Sequence, residues 1–287
     1  MTPGRAPLIA LLLLTLAAGV PPVARAQSIG DLADLFVRIA GRPEYSRTGT
    51  TGVQKWQKTL RYVVLGETRA TMGPRVDGHM ALMRSLTNLP VERIGPDGGQ
   101  DAAERIFARG LGRFHVSAPT TAHDDAARMP VVSFANAGGT VRWRGNFFIF
   151  VGRRNEMAAL TRGFGTERPD LARRIETGAV SCASVLHFAI AEHAIATAFV
   201  FLPTDMDAWR VERCVEEEIT QSFGLMNDVR GSRLTLFDDD LRQRKTRLTA
   251  IDKLFLRALY DPRIRPGMNG STLKAAAREV IGELRPR

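Results

Sequence analysis

The sequence predicts an α+β fold, a mixed β-sheet with helices packed on it. Three observations predict it. Apolar residues recur at helical spacing in some stretches, for example 28–39 and 248–259. Others alternate or run unbroken as strands do, at 56–65, 146–151, 184–188 and 195–201. No internal repeat and no long low-complexity linker divides them.

Taken in order, residues 28–39 place Leu32, Leu35, Phe36 and Ile39 on one helical face, and Gly41-Arg42-Pro43 ends the helix. In the strand at 56–65, Leu60, Tyr62 and Val64 share a face; as the leading strand it is expected at a sheet edge. A helix is expected over 76–89, closed by Pro90, and a short strand over 91–94. Residues 101–113 read as a short helix leading into a strand at 113–116, and 120–129 as loop or short helix. The run 146–151 has the composition of a central strand, and a helix opens at 156–160. Two strands follow at 184–188 and 195–201, around a turn at 191–194. Near the C-terminus Thr249 and Asp252 form a capping box, and Ser271 or Thr272 caps the last helix.

Residues 1–26 read as a signal peptide: Arg5, an apolar core rich in leucine, then Ala24-Arg25-Ala26. A short helix and linker over 27–53 and one domain over 54–287 follow. Cleavage after Ala26 would remove Arg5 and Arg25 and lower the formal net charge from +10 to +8. The expected location is periplasmic or secreted, with no integral membrane segment after cleavage. The basic residues are scattered and not interleaved with exposed aromatics on a platform, so nucleic acid is not the expected partner. Cys182 and Cys214 are the only cysteines. In an exported chain they most simply form one disulfide, worth about 3 kcal/mol; two buried thiols are the alternative.

The chemistry-bearing segment is 214–228, CVEEEITQSFGLMND. At 100° per residue, Cys214, Val215, Glu218, Ser222, Leu225 and Met226 fall within about 60° of one direction. Glu218 therefore points into an apolar stripe and needs a partner, such as Arg61 or Arg153. Glu217 and Gln221 share one edge of the stripe. Glu216 and Thr220 are expected to face water. Gly224 suits a tight exit where a side chain would obstruct the chain. Asn227 and Asp228 sit just past it, as turn residues or pointing back towards Gln221. The run at 238–240 reads as a solvated acidic turn facing the basic run 242–247.

This segment resembles the zinc helix of metzincin peptidases, H-E-x-x-H-x-x-G-x-x-H. The resemblance puts the two helix histidines at Glu217 and Gln221, the catalytic glutamate at Glu218, the glycine at Gly224 and the third ligand at Asn227, beside Asp228. It implies a zincin-like core without the histidine ligands. The chain is also similar to a bacterial family of unknown function, numbered 2927, whose members are exported proteins or lipoproteins. That similarity rests on Cys214, Glu217-Glu218-x-Thr220-Gln221, Gly224-Leu225-x-Asn227-Asp228 and Leu259-Tyr260-Asp261-Pro262-Arg263, within 54–268.

Glutamine is a poor zinc ligand, and the all-oxygen set of Glu217, Gln221 and Asn227 or Asp228 would better suit calcium or magnesium but falls below a normal calcium shell, so no metal and no cofactor are expected. Two readings follow. One is a non-catalytic protein using a cleft at Glu217, Gln221, Asn227 and Asp228 to bind a peptide, a glycan or an envelope protein. The other is a divergent hydrolase with Glu218 as general base, which would lack a Lewis acid to activate water. Whether the chain is an enzyme is left open by the residues themselves.

Overall fold

The structure is a computed structural model and describes residues 27–41, 51–66, 68–96, 113–117, 129–163, 170–238 and 240–285. The signal-peptide reading and the expected helix at 101–112 lie outside these residues. Among the described residues no helix is long and apolar enough to cross a membrane.

The chain opens with α1 (Ile29–Ala40), which Ser28 and Asp31 cap reciprocally. Then come β1 (Leu60–Leu65), α2 (Arg69–Thr87) and β2 (Val91–Arg93). Strands β3 (Arg113–Ser117), β4 (Val131–Asn136), β5 (Gly139–Arg144) and β6 (Phe147–Gly152) follow. Next are α3 (Arg154–Gly163), α4 (Leu171–Glu176), β7 (Ala183–Ala189) and β8 (Ala194–Pro203). Three helices complete the described chain: α5 (Ala208–Gln221), α6 (Ala250–Leu259) and α7 (Gly270–Leu284).

Five strands form a mixed sheet in the order β2-β1-β6-β8-β7. Strands β2, β1, β6 and β8 run parallel, and β7 pairs antiparallel with β8. Strands β3, β4 and β5 make a separate antiparallel sheet. This is the expected α+β architecture with β6 at the centre of the larger sheet. The expectation of β1 as an edge strand is corrected: β1 lies between β2 and β6. Its run of Tyr62, Val63, Val64 and Leu65 is apolar on both faces because both faces are covered.

The pleat sends alternate side chains into two cores. Leu60, Tyr62, Val64, Phe147, Ile149, Val200 and Leu202 face the helical side, against α1, α2, α5, α6 and α7. Val63, Leu65, Phe148, Phe150, Phe199 and Phe201 face the other, against β4, β5, α3 and α4. On that side Phe148 stacks on Phe199 at 5.4 Å and Phe150 on Phe201 at 5.3 Å. The hairpin of β4 and β5 carries Phe134 and Trp143 into this second core; the strand pattern of 131–144 had not marked it.

Helix α2 begins at Arg69, not Val76, and contains Pro74. The apolar period starts only after that proline, which hid the first turn. Helix α7 starts at Gly270 with Asn269 as its N-cap residue, ahead of the expected Ser271 or Thr272. The capping box of Thr249 and Asp252 opens α6 as expected. Helix α1 packs on this C-terminal layer, with Phe36 edge-on to Phe255 at 5.5 Å.

Candidate functional site: the carboxylate helix

Helix α5 follows the long strand β8, which lies between β6 and the edge strand β7. The disulfide Cys182–Cys214 ties it to the start of β7, with Cα atoms 5.9 Å apart. Helical periodicity predicted one buried stripe. The structure buries more of the helix than that, because α2 covers a second face.

Glu216 and Thr220, expected in water, lie on that second face. Glu216 is 5% exposed and Thr220 is 0% exposed. His79 of α2 sits between them. Its Nε2 is 3.0 Å from the Thr220 hydroxyl and its Nδ1 is 3.4 Å from Glu216 Oε2. Glu216 also accepts from Arg247 Nη1 at 2.9 Å and from the Leu248 amide at 3.2 Å. Burial pushes the Glu216 carboxyl up, but the bonds from His79, Arg247 and Leu248 outweigh it and hold it down at about 2. The spacing of Glu216 and Thr220, four residues apart, lets one imidazole meet both. Neither the burial of this face nor the partner, 137 residues upstream of Glu216, is written in the period of the helix.

The first carboxylate of the predicted cleft, Glu217, is gripped by its own helix. Arg213, one turn earlier, donates from Nε and Nη2 to the two Glu217 oxygens at 2.8 and 2.7 Å. The same guanidinium donates to the carbonyls of Leu236 at 2.7 Å, Asp238 at 3.1 Å and Lys245 at 3.4 Å. Arg213 is 5% exposed. It fastens the long segment after α5 to the helix.

Glu218 is buried, 9% exposed, as its place in the stripe predicted. Arg61, one suggested partner, instead bonds Glu92 at 3.2 Å. Gln221 and Asp228 are brought together: the Gln221 amide donates to Asp228 Oδ1 at 2.8 Å. Asn227 faces away from them, towards the end of α1, and its amide donates to the carbonyls of Arg38 at 3.0 Å and Ile39 at 3.1 Å. Among the predicted cleft residues only Gln221 and Asp228 touch each other by these bonds.

Gly224 makes the exit. Its φ is +114, and a Cβ there would lie 2.5 Å from the Gln54 carbonyl oxygen and 3.0 Å from Leu259 Cδ2. The chain just before it is locked from two sides: Trp56 Nε1 donates to Ser222 O and the Tyr260 hydroxyl to Phe223 O, both at 2.8 Å. Behind this turn, the ammonium of Lys55 donates to the carbonyls of Leu259 at 2.9 Å and Ile264 at 2.5 Å. Burial lowers its pKa to about 8, against the attraction of Asp261.

The run at 238–240 is not a wholly solvated turn. Asp238 is buried and accepts from the Gly231 amide at 3.1 Å and Gln243 Nε2 at 3.0 Å. Asp240 pairs with the exposed Arg242, as the basic run predicted.

This donor set does not fit a zincin metal. It has no imidazole, both Glu217 oxygens face a guanidinium, and Asn227 is turned to α1. Among the described residues no group of three His, Cys, Asp or Glu is placed to hold a metal ion.

The fold and this helix define an α+β protein with a mixed sheet and a central helix whose carboxylates are engaged inside the molecule. The family model described as "Protein of unknown function (DUF2927)" matches residues 30–279, and the chain belongs to that family. No curated protein and no solved structure matches the chain.

Proposed function

We propose that the chain is an exported, non-catalytic binding protein on a degenerate zincin-like frame, and that it takes an extended peptide of an envelope partner along β7. One observation carries this reading. The residues standing at the metal-ligand positions of the helix are spent on internal bonds: Glu217 on Arg213, Gln221 on Asp228, Asn227 on α1. The retained spacing of Glu217, Glu218, Gln221 and Gly224, with a tight exit at Gly224, supports the zincin-like frame. The leader-like residues 1–26 and a bonded cysteine pair support export.

Strand β7 favours a peptide over a glycan. Among the described strands it pairs with β8 alone, at the end of the sheet order. An edge strand offers a backbone ladder to an extended chain. Val185, Leu186 and Phe188 along it are half-buried, which leaves part of each side chain for a partner. The disulfide holds the start of β7 against α5, so the edge is rigid before binding.

The test is hydrogen exchange on the purified chain, titrated with a library of unstructured peptides. Binding should slow exchange of the amides of Ala183–Ala189 above other strands. No peptide slowing β7 would remove the peptide reading. Turnover of a denatured protein substrate, lost on Glu218→Gln in a folded variant, would replace it by the divergent-hydrolase reading, with Glu218 as general base.

A further inference from the structure

The first turn of α5 carries a feature that the carboxylate helix does not use. Two guanidiniums sit over the Trp209 ring: Arg210 is 5.2 Å and Arg244 is 5.6 Å from the indole ring centroid. Arg244 comes from the loop 35 residues downstream, so basic and aromatic residues scattered in sequence converge in space.

We propose that the Arg210–Trp209–Arg244 stack is a docking surface for an anionic phospholipid bilayer. Two like charges meet on one ring, and only Arg210 has a carboxylate within 4 Å, that of Asp207. The nearest acid to Arg210 is Asp207, at 3.7 Å, and the Arg210 Nε is buried without a hydrogen bond. Arg244 has no carboxylate partner among the described residues. Two guanidiniums with one exposed carboxylate between them leave a net positive charge that a further anion would offset.

Backbone strain points the same way. Arg244 has φ +43, in the left-handed region that non-glycine residues seldom occupy. Strain of this kind persists where surrounding structure imposes it, and it gathers at ligand clamps. Here it aims an exposed guanidinium at the indole. Arg247, also exposed, lies three residues on and keeps the neighbourhood basic although one of its nitrogens bonds Glu216. The formal net charge of +10, or +8 without residues 1–26, adds a long-range pull towards an anionic surface.

The chemistry selects lipid over other anions. A guanidinium fork matches a phosphate bidentately. An indole settles at the headgroup level of a bilayer, where one end is wet and the other apolar. A bilayer presents many phosphates in one plane, so it reaches both arginines beside one half-exposed ring at once. Each arginine near such a surface adds to the attraction.

Co-sedimentation of the purified chain with vesicles tests this. Binding is expected to phosphatidylcholine vesicles containing 30% phosphatidylglycerol, falling as salt rises, and not to pure phosphatidylcholine. Arg244→Gly should bind roughly fivefold more weakly, the loss of one surface cation. Glycine is at ease at φ +43, so this variant should fold at least as stably as the parent, which a thermal melt checks. Trp209→Ala should also weaken binding. Arg278→Gln, removing an exposed charge on α7, should stay within twofold. Equal binding to neutral vesicles, or equal losses in the Arg244 and Arg278 variants, would overturn the proposal. So would polyglutamate binding as tightly as the anionic vesicles with the same loss in Arg244→Gly, since the surface would then be one for acidic peptides.

Discussion

Arg213 holds both carboxylate oxygens of Glu217, at 2.8 and 2.7 Å, in a pocket where the two side chains are only 6% and 14% exposed. A cation is thus bonded to the carboxylate that stands at a metal-ligand position of the resembling pattern. Glu217→Ala would leave a buried guanidinium with carbonyls alone. It should cost about 3 kcal/mol, read from the urea midpoint at pH 7. A loss below about 1 kcal/mol would mean that the pair behaves as a surface bridge.

The acid limb of stability should report Glu216. Its folded pKa is depressed to about 2, so its contribution is complete above the unfolded value near 4.3 and is lost as pH falls towards 2. That contribution is at most about 3 kcal/mol. Glu216→Gln should lower stability at pH 7 and flatten the dependence between pH 4.5 and 2. Urea unfolding across that range checks it. Parallel curves for parent and variant would assign the acid limb to other carboxylates.

Gly224→Ala should be severely destabilising. The residue has φ +114, and the new Cβ would meet the backbone oxygen of Gln54 at 2.5 Å, which cannot rotate away. A loss of about 2–4 kcal/mol is expected from strain and overpacking together. A thermal melt within a degree of the parent would show that the exit relaxes freely.

The disulfide Cys182–Cys214 closes a loop of 32 residues and should contribute about 3 kcal/mol, mostly by restricting the unfolded chain. The protein unfolded without reductant should show no reactive thiol. The double serine variant should unfold at correspondingly lower urea. Two free thiols per chain would contradict the bonded pair.

Much of the fold was legible because its signals are local. The shared face of Leu60, Tyr62 and Val64 in β1, the unbroken apolar run of β6, the helical period of α1 and the capping box at Thr249 and Asp252 each involve residues a few positions apart. So does the burial of Glu218, which follows from where it falls on its own helix. The hairpin of β4 and β5 was less legible: Phe134 and Trp143 are diluted by polar residues on the open face. The start of α2 was masked by Pro74, which interrupts the apolar period without ending the helix.

By itself, the sequence determined most of the element types, the stripe of α5 and the glycine at its exit. Tertiary structure decided which groups meet. It placed β1 inside the sheet, turned Glu216 and Thr220 onto His79, pointed Asn227 at α1 and set Arg244 over Trp209. Periodicity and capping act within about one helical turn, so they are written in neighbouring residues. The contact of His79 with Thr220 spans 141 residues, and no local rule fixes the path of the chain between them. Only the packing of α2 across α5, which buries a second helix face, makes that bond.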